Sequence, residues 1–207
     1  HLGLGGDYYD FLELEDNKYA FCIADISGKG LAAALMMSNF QANFHVLINR
    51  HTNLEMFVRE LNQALFRLTK GDRFLTFFVG LFCKETKDLY YINAGHTAPV
   101  LMMNGETQLL TKGCTILGSF EDLPFVETGQ LKLTDDAFII TYTDGLTDVQ
   151  NEQEEYFDEN LLETFVKRNY EQPLPEFNKK LYDHIDQFRG AKPFPDDFTL
   201  LTGKIFS

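Results

Sequence analysis

At Phe74 the spacing of apolar residues changes, and that change limits the possible folds more than any other feature of the chain. Upstream, Leu54, Phe57, Val58, Leu61, Leu65 and Leu68 recur at three- and four-residue intervals, one apolar stripe of a helix. Downstream, residues 75–83, 88–93, 99–103, 106–111, 126–133 and 137–143 form short β-rich runs. Gly, Asn, Asp or Thr recur in the connections between them. Residues 18–24 read as a buried strand before the helical region, and a first helix is predicted over 31–49. That helix is apolar nearly all round at its start, so its early part is expected to be buried. Thr52 or Asn53 is expected to cap the second helix and Gly71 to stop it. Helices over 159–168 and 174–188, the latter with Pro175 in its first turn, and a strand over 198–206 close the chain. Strands grouped apart from helices imply an α+β domain with antiparallel sheets and helical pairs packed outside. No repeat or linker interrupts the 207 residues, so one domain spanning 1–207 is expected.

Charge narrows the function. The 31 acidic residues outnumber the 18 basic ones, giving a net charge of −13, with no cluster of Lys or Arg. Such a chain lacks the electrostatic footprint for nucleic acid or an anionic membrane. No run approaches 18 consecutive apolar residues, so membrane contact is not expected. Cys22, Cys83 and Cys114 form no CxxC and read as reduced thiols of a cytoplasmic protein. The N-terminus, with no basic region followed by an apolar run, does not read as a signal peptide. Its early glycines read as the start of a piece excised from a longer protein.

Four segments place Asp beside Gly or Asp at the end of an apolar strand. They are Gly5-Gly6-Asp7-Tyr8-Tyr9-Asp10, Asp25-Ile26-Ser27-Gly28-Lys29-Gly30, Thr143-Asp144-Gly145 and Pro195-Asp196-Asp197-Phe198-Thr199. Rigid strand ends can hold carboxylates in a cluster, and glycine lets backbone carbonyls approach a cation. Hard cations such as Mg²⁺ and Mn²⁺ favour such oxygen ligands. Each segment alone also has a plainer reading. Asp-Gly is a common turn, Asp10 could face solvent, and Tyr8 and Tyr9 read as packing residues. One of Asp196 and Asp197 could merely start the last strand. Gly28 and Gly30 lack the spacing of a nucleotide loop. Ser27 has no His/Asp partner that would make it a nucleophile. His96 reads as a structural histidine bonded to backbone, while His45, His51 and His184 carry no ligand signal and His1 is a boundary residue.

Taken in order, these segments resemble the metal-dependent protein phosphatase (PPM) family, in its bacterial SpoIIE/RsbU branch. The resemblance extends to Asn93-Ala94-Gly95-His96-Thr97-Ala98-Pro99 and to Tyr142-Thr143-Asp144-Gly145-Leu146-Thr147-Asp148. It implies a β-sandwich of two mainly antiparallel sheets flanked by helix pairs, with a site for two ions of Mn²⁺ or Mg²⁺. By the same resemblance, Asp7 would bind one ion and Asp25 would bridge both, with the backbone carbonyl of Ile26 beside it. Asp144 would bind the other ion, joined by Asp196, with Asp197 the less certain member of its pair. Asp7, Asp25, Asp144 and Asp196 would act through a metal-activated water, without a phosphoenzyme. The branch often has His where Lys29 stands and Glu where Asp148 stands; the loop 26–30 here has no His.

The implied activity is hydrolysis of phosphoserine or phosphothreonine on a regulatory protein of the anti-sigma-factor-antagonist type, in bacterial stress-response signalling. The implied partners are that phosphorylated protein, an upstream sensor domain and a second copy in a homodimer. The alternative is a catalytically silent signalling scaffold of the same fold.

Overall fold

A computed structural model describes residues 6–51 and 53–205. Its first elements are β1 (Asp7–Leu14), β2 (Lys18–Ile26), α1 (Leu31–Arg50), α2 (Leu54–Thr69), β3 (Leu75–Cys83), β4 (Asp88–Ala94) and β5 (Val100–Met103). There follow β6 (Glu106–Leu109), β7 (Gly113–Cys114), β8 (Gly129–Lys132), β9 (Phe138–Tyr142), α3 (Glu159–Asn169), α4 (Leu174–Arg189) and β10 (Leu200–Lys204). They fall into two units: His1–His96 with Leu110–Lys132, and Thr97–Leu109 with Leu133–Ser207.

In the first unit the sheet runs β1-β2-β3-β4-β7, with β8 also paired to β4. Its pairs are antiparallel except β4 with β7. Asp16 and Asn17, both at positive φ (58° and 53°), turn β1 into β2 in the left-handed conformation those two residue types tolerate. Side chains alternate along a strand, so Ala20, Cys22, Ala24 and Ile26 share the face of β2 that meets the helices. Against them α1 sets Ala33, Met36, Phe40, Phe44, Leu47 and Ile48, and α2 adds Leu54, Phe57, Val58, Leu61 and Leu65. Phe77 of β3 is fully buried, edge-on to Phe40 at 5.3 Å between ring centroids. Asn53 caps α2, its Oδ1 accepting from the amides of Glu55 (2.8 Å) and Met56 (3.2 Å).

Three sequence expectations need correction here. The start of α1 is not buried: Leu31 and Leu35 are 73% and 58% exposed, because only the Ala33–Met36–Phe40–Phe44 side meets the sheet. Leu68, the last member of the α2 stripe, also faces outward. Two strands, β1 and the two-residue β7, form where the apolar spacing predicts none. By length and composition alone (mean hydropathy 1.2) α1 is long and apolar enough to cross a membrane. Its buried face is built into the core above. Thr52, Gly5, His1 and Phe206, each invoked above, lie outside the described residues.

In the second unit the sheet runs β10-β9-β5-β6, antiparallel throughout. Phe138 and Tyr142 of β9 pack with Leu162, Phe165 and Val166 of α3 and Phe177, Leu181 and Ile185 of α4. Asp158 caps α3 by accepting from the Leu161 amide at 3.0 Å. Pro175 sits in the first turn of α4.

Candidate metal centre

The β1–β2 hairpin sets Asp7 directly opposite Asp25. The Ile26 amide donates to the Gly6 carbonyl at 3.1 Å. Gly6–Ile26 is therefore the hydrogen-bonded position, and Asp7–Asp25 falls at a non-hydrogen-bonded one, where facing side chains stand closest. Like charges directly opposite each other destabilise a sheet, so a cation between them would be stabilising. Gly6 allows the close approach: a Cβ there would lie 2.7 Å from the Ile26 carbonyl oxygen and 3.0 Å from Asp25 Oδ1. A backbone oxygen and a carboxylate thus crowd the same space. That donor set, all oxygen and mostly anionic, suits a hard divalent cation.

In the second unit, Asp144 opens the turn after β9, and Asp196 and Asp197 lie in the approach to β10. The two segments are tied to each other. The Thr143 amide donates to the Thr199 carbonyl at 3.2 Å, and the Thr199 amide to Thr143 Oγ1 at 2.9 Å. A Cβ on Gly145 would lie 2.2 Å from the Asp197 carbonyl oxygen, so only glycine permits this approach. Burial, then the Asp144 and Asp196 carboxylates, push the Asp148 carboxyl above its usual range. Asp144, Asp148 and Asp196 therefore share one electrostatic neighbourhood, and Asp148 was not among the expected ligands.

Asp7 is brought beside Asp25, and Asp144 near Asp196. Within each unit, among the described residues, no three His, Cys, Asp or Glu side chains are arranged as a metal-binding group. Asp7 opens its strand rather than ending one. The β1 sequence hid itself because Asp10 interrupts the apolar alternation of Tyr8, Leu12 and Leu14. Asp10 does not face solvent: it accepts from Tyr8 Oη at 2.6 Å and meets His45 Nε2 of α1 at 2.6 Å. Burial raises the Asp10 carboxyl, but bonds from Tyr8, His45 and the Phe11 amide outweigh it and hold it below its ordinary value. Buried His96 bonds through its ring, Nδ1 lying 2.7 Å from Thr76 Oγ1, while its amide donates to Asn93 Oδ1 at 2.8 Å. Its ring thus binds a side chain, that of Thr76. Thr76 is itself the β3 partner of Asp25.

The family profile of Stage II sporulation protein E (SpoIIE) matches residues 15–206. The chain belongs to the SpoIIE family. It is 28% identical over 150 residues to the phosphoserine phosphatase RsbP of Bacillus subtilis (strain 168), covering 70% of this chain and 37% of RsbP. It is 24% identical over 201 residues to the phosphoserine phosphatase RsbU of the same organism, covering 96% and 58%. The chain thus spans less than two thirds of either relative. Among solved structures, the SiaA-PP2C domain of Pseudomonas aeruginosa superposes with a TM-score of 0.84 at 21% identity, over 97% of this chain and 81% of that one. RsbX, solved in complex with magnesium, gives 0.72 at 17% identity, over 97% and 87%. These likenesses show the expected PPM-type α+β fold.

Proposed function

We propose that this SpoIIE-family chain is a metal-dependent protein phosphatase that hydrolyses phosphoserine or phosphothreonine on a regulatory protein. The observation that carries this reading is the register that sets Asp7 against Asp25 with the Ile26 carbonyl oxygen beside them. Family membership and the phosphoserine phosphatase names of RsbP and RsbU support it, and the magnesium complex of RsbX supports a divalent ion.

Asp7, Asp25 and the Ile26 carbonyl would hold metal in the first unit, and Asp144 and Asp196 in the second, with Asp197 contributing beside them. Two bound ions, Mn²⁺ or Mg²⁺, would supply a water of lowered pKa and neutralise charge on the phosphoryl oxygens. The residues' own task is to hold oxygen donors rigidly at strand ends. Without a cation the same carboxylates would repel a phosphate dianion. Water adds to phosphorus, the P–O bond to the serine or threonine oxygen breaks, and that oxygen takes up a proton. With no His in the 26–30 loop, the proton is assigned to water. Residues 1–207 would act as one phosphatase domain within a longer cytoplasmic signalling protein. An upstream sensor and a homodimer partner would regulate it, and an anti-sigma-factor antagonist would be its substrate.

The test is phosphate release from a phosphoserine protein during Mn²⁺ titration, on the wild type and on Asp25→Asn. Metal-dependent turnover that Asp25→Asn abolishes is expected. Full activity in Asp25→Asn would overturn the ligand assignment, and a wild type silent with Mn²⁺ and Mg²⁺ would favour the scaffold alternative.

A further inference from the structure

Beyond Ile26 the chain enters the turn Ser27-Gly28, and one neighbouring segment grips it. The Ser27 amide donates to the Phe74 carbonyl at 2.9 Å, and the Phe74 amide donates to Ser27 Oγ at 3.0 Å. The Ser27 carbonyl accepts from Arg73 Nη1 at 2.9 Å. In a planar trans peptide the C=O and N–H point in opposite directions. Binding the Ser27 amide therefore also aims the carbonyl of Ile26, and binding the Ser27 carbonyl fixes the next peptide. Gly28, at φ +88°, lies directly under the guanidinium: a Cβ there would be 2.5 Å from Arg73 Nη1. Arg73 is itself anchored, since its carbonyl accepts from Thr69 Oγ1, at the end of α2, at 3.2 Å. Of the contacts holding Ser27 to residues 73–74, the guanidinium bond is the one that belongs wholly to Arg73's side chain.

We propose that Arg73 is a positioning residue for the metal centre: through the Ser27 carbonyl it fixes the Ser27–Gly28 peptide and so braces the turn that follows Asp25 and Ile26. This rests on the metal-centre reading above. Groups that orient metal ligands without touching the metal change affinity by about 10- to 100-fold when removed. A cation acting only by its charge would do the opposite, because removing a positive group near a metal site strengthens binding of another cation. The two roles therefore differ in sign.

Calorimetric Mn²⁺ binding to the wild type, Arg73→Met, Arg73→Lys and Gly28→Ala separates them, with melting curves confirming that each variant is folded. Arg73→Met, which keeps a long stem but no donor, should weaken Mn²⁺ binding about tenfold. Arg73→Lys, which keeps a donor, should stay within about threefold of the wild type. Gly28→Ala pushes the guanidinium aside and also strains the turn at φ +88°, so it should weaken binding further. Unchanged binding in a folded Gly28→Ala would overturn the positioning role, and Arg73→Lys carries the test if Arg73→Met does not fold. Binding by Arg73→Met as tight as, or tighter than, that of the wild type would overturn the positioning role while leaving the metal centre standing. A wild type that binds no Mn²⁺ would defeat the metal-centre reading itself, and this inference with it.

Discussion

Replacing Gly145 by Ala tests the proposed Asp144–Asp196 metal site without replacing a ligand. The new methyl carbon would lie 2.2 Å from the Asp197 carbonyl oxygen and 3.1 Å from its carbon. Ordinary non-bonded contact is about 3.5 Å, so the backbone at Asp197 must retreat by roughly 1 Å. That displacement falls on the Asp197–Phe198 peptide, one residue beyond Asp196. A misplacement of about 1 Å at a catalytic centre can cost about 100-fold in rate. Overpacking of this kind destabilises by about 1–3 kcal/mol, which should leave the protein folded at assay temperature. Phosphate release with saturating Mn²⁺ should therefore fall by about 100-fold in Gly145→Ala, while circular dichroism at the assay temperature stays native. Wild-type turnover and wild-type Mn²⁺ affinity in a folded Gly145→Ala would refute the link between this close approach and the placing of Asp196.

Asp10, held below its ordinary value of 3.8 by its bonds to Tyr8, His45 and the Phe11 amide, contributes stability that is complete above its unfolded pKa. That contribution is lost as pH falls through the lower folded value. Below about pH 4 the wild-type melting temperature should drop more steeply than that of Asp10→Asn, and parallel curves would contradict the assignment. In the first core, Phe77→Ala empties the space between Phe40, Phe44 and Phe57 and should cost about 3–5 kcal/mol by urea unfolding.

Most helices and strands were legible because their apolar spacing is regular. Residues 75–83 read as a strand and form β3 over the same span, and the Leu54–Leu65 stripe is buried as its spacing predicts. β1 was not legible, because a carboxylate on its core-facing side breaks the alternation. Only the packed structure supplies the Tyr8 and His45 partners that make Asp10 acceptable there. The Asp7–Asp25 facing depended on that strand and so could not be read from periodicity. The exposure of Leu31 and Leu35 escaped for a related reason: an Ala- and Met-rich helix start carries too little amphipathic contrast to show which side meets the sheet. Arg73 left no sequence signal at all, since its role lies in one hydrogen bond to a residue 46 positions away.

The most direct measurement is anomalous X-ray diffraction at the manganese edge from crystals grown with Mn²⁺. Two peaks are predicted at coordination distance, about 2.1 Å for an ion of this size. One should touch Asp7, Asp25 and the Ile26 carbonyl oxygen, the other Asp144 and Asp196. Clear density for all these side chains with no anomalous peak among them would contradict the account.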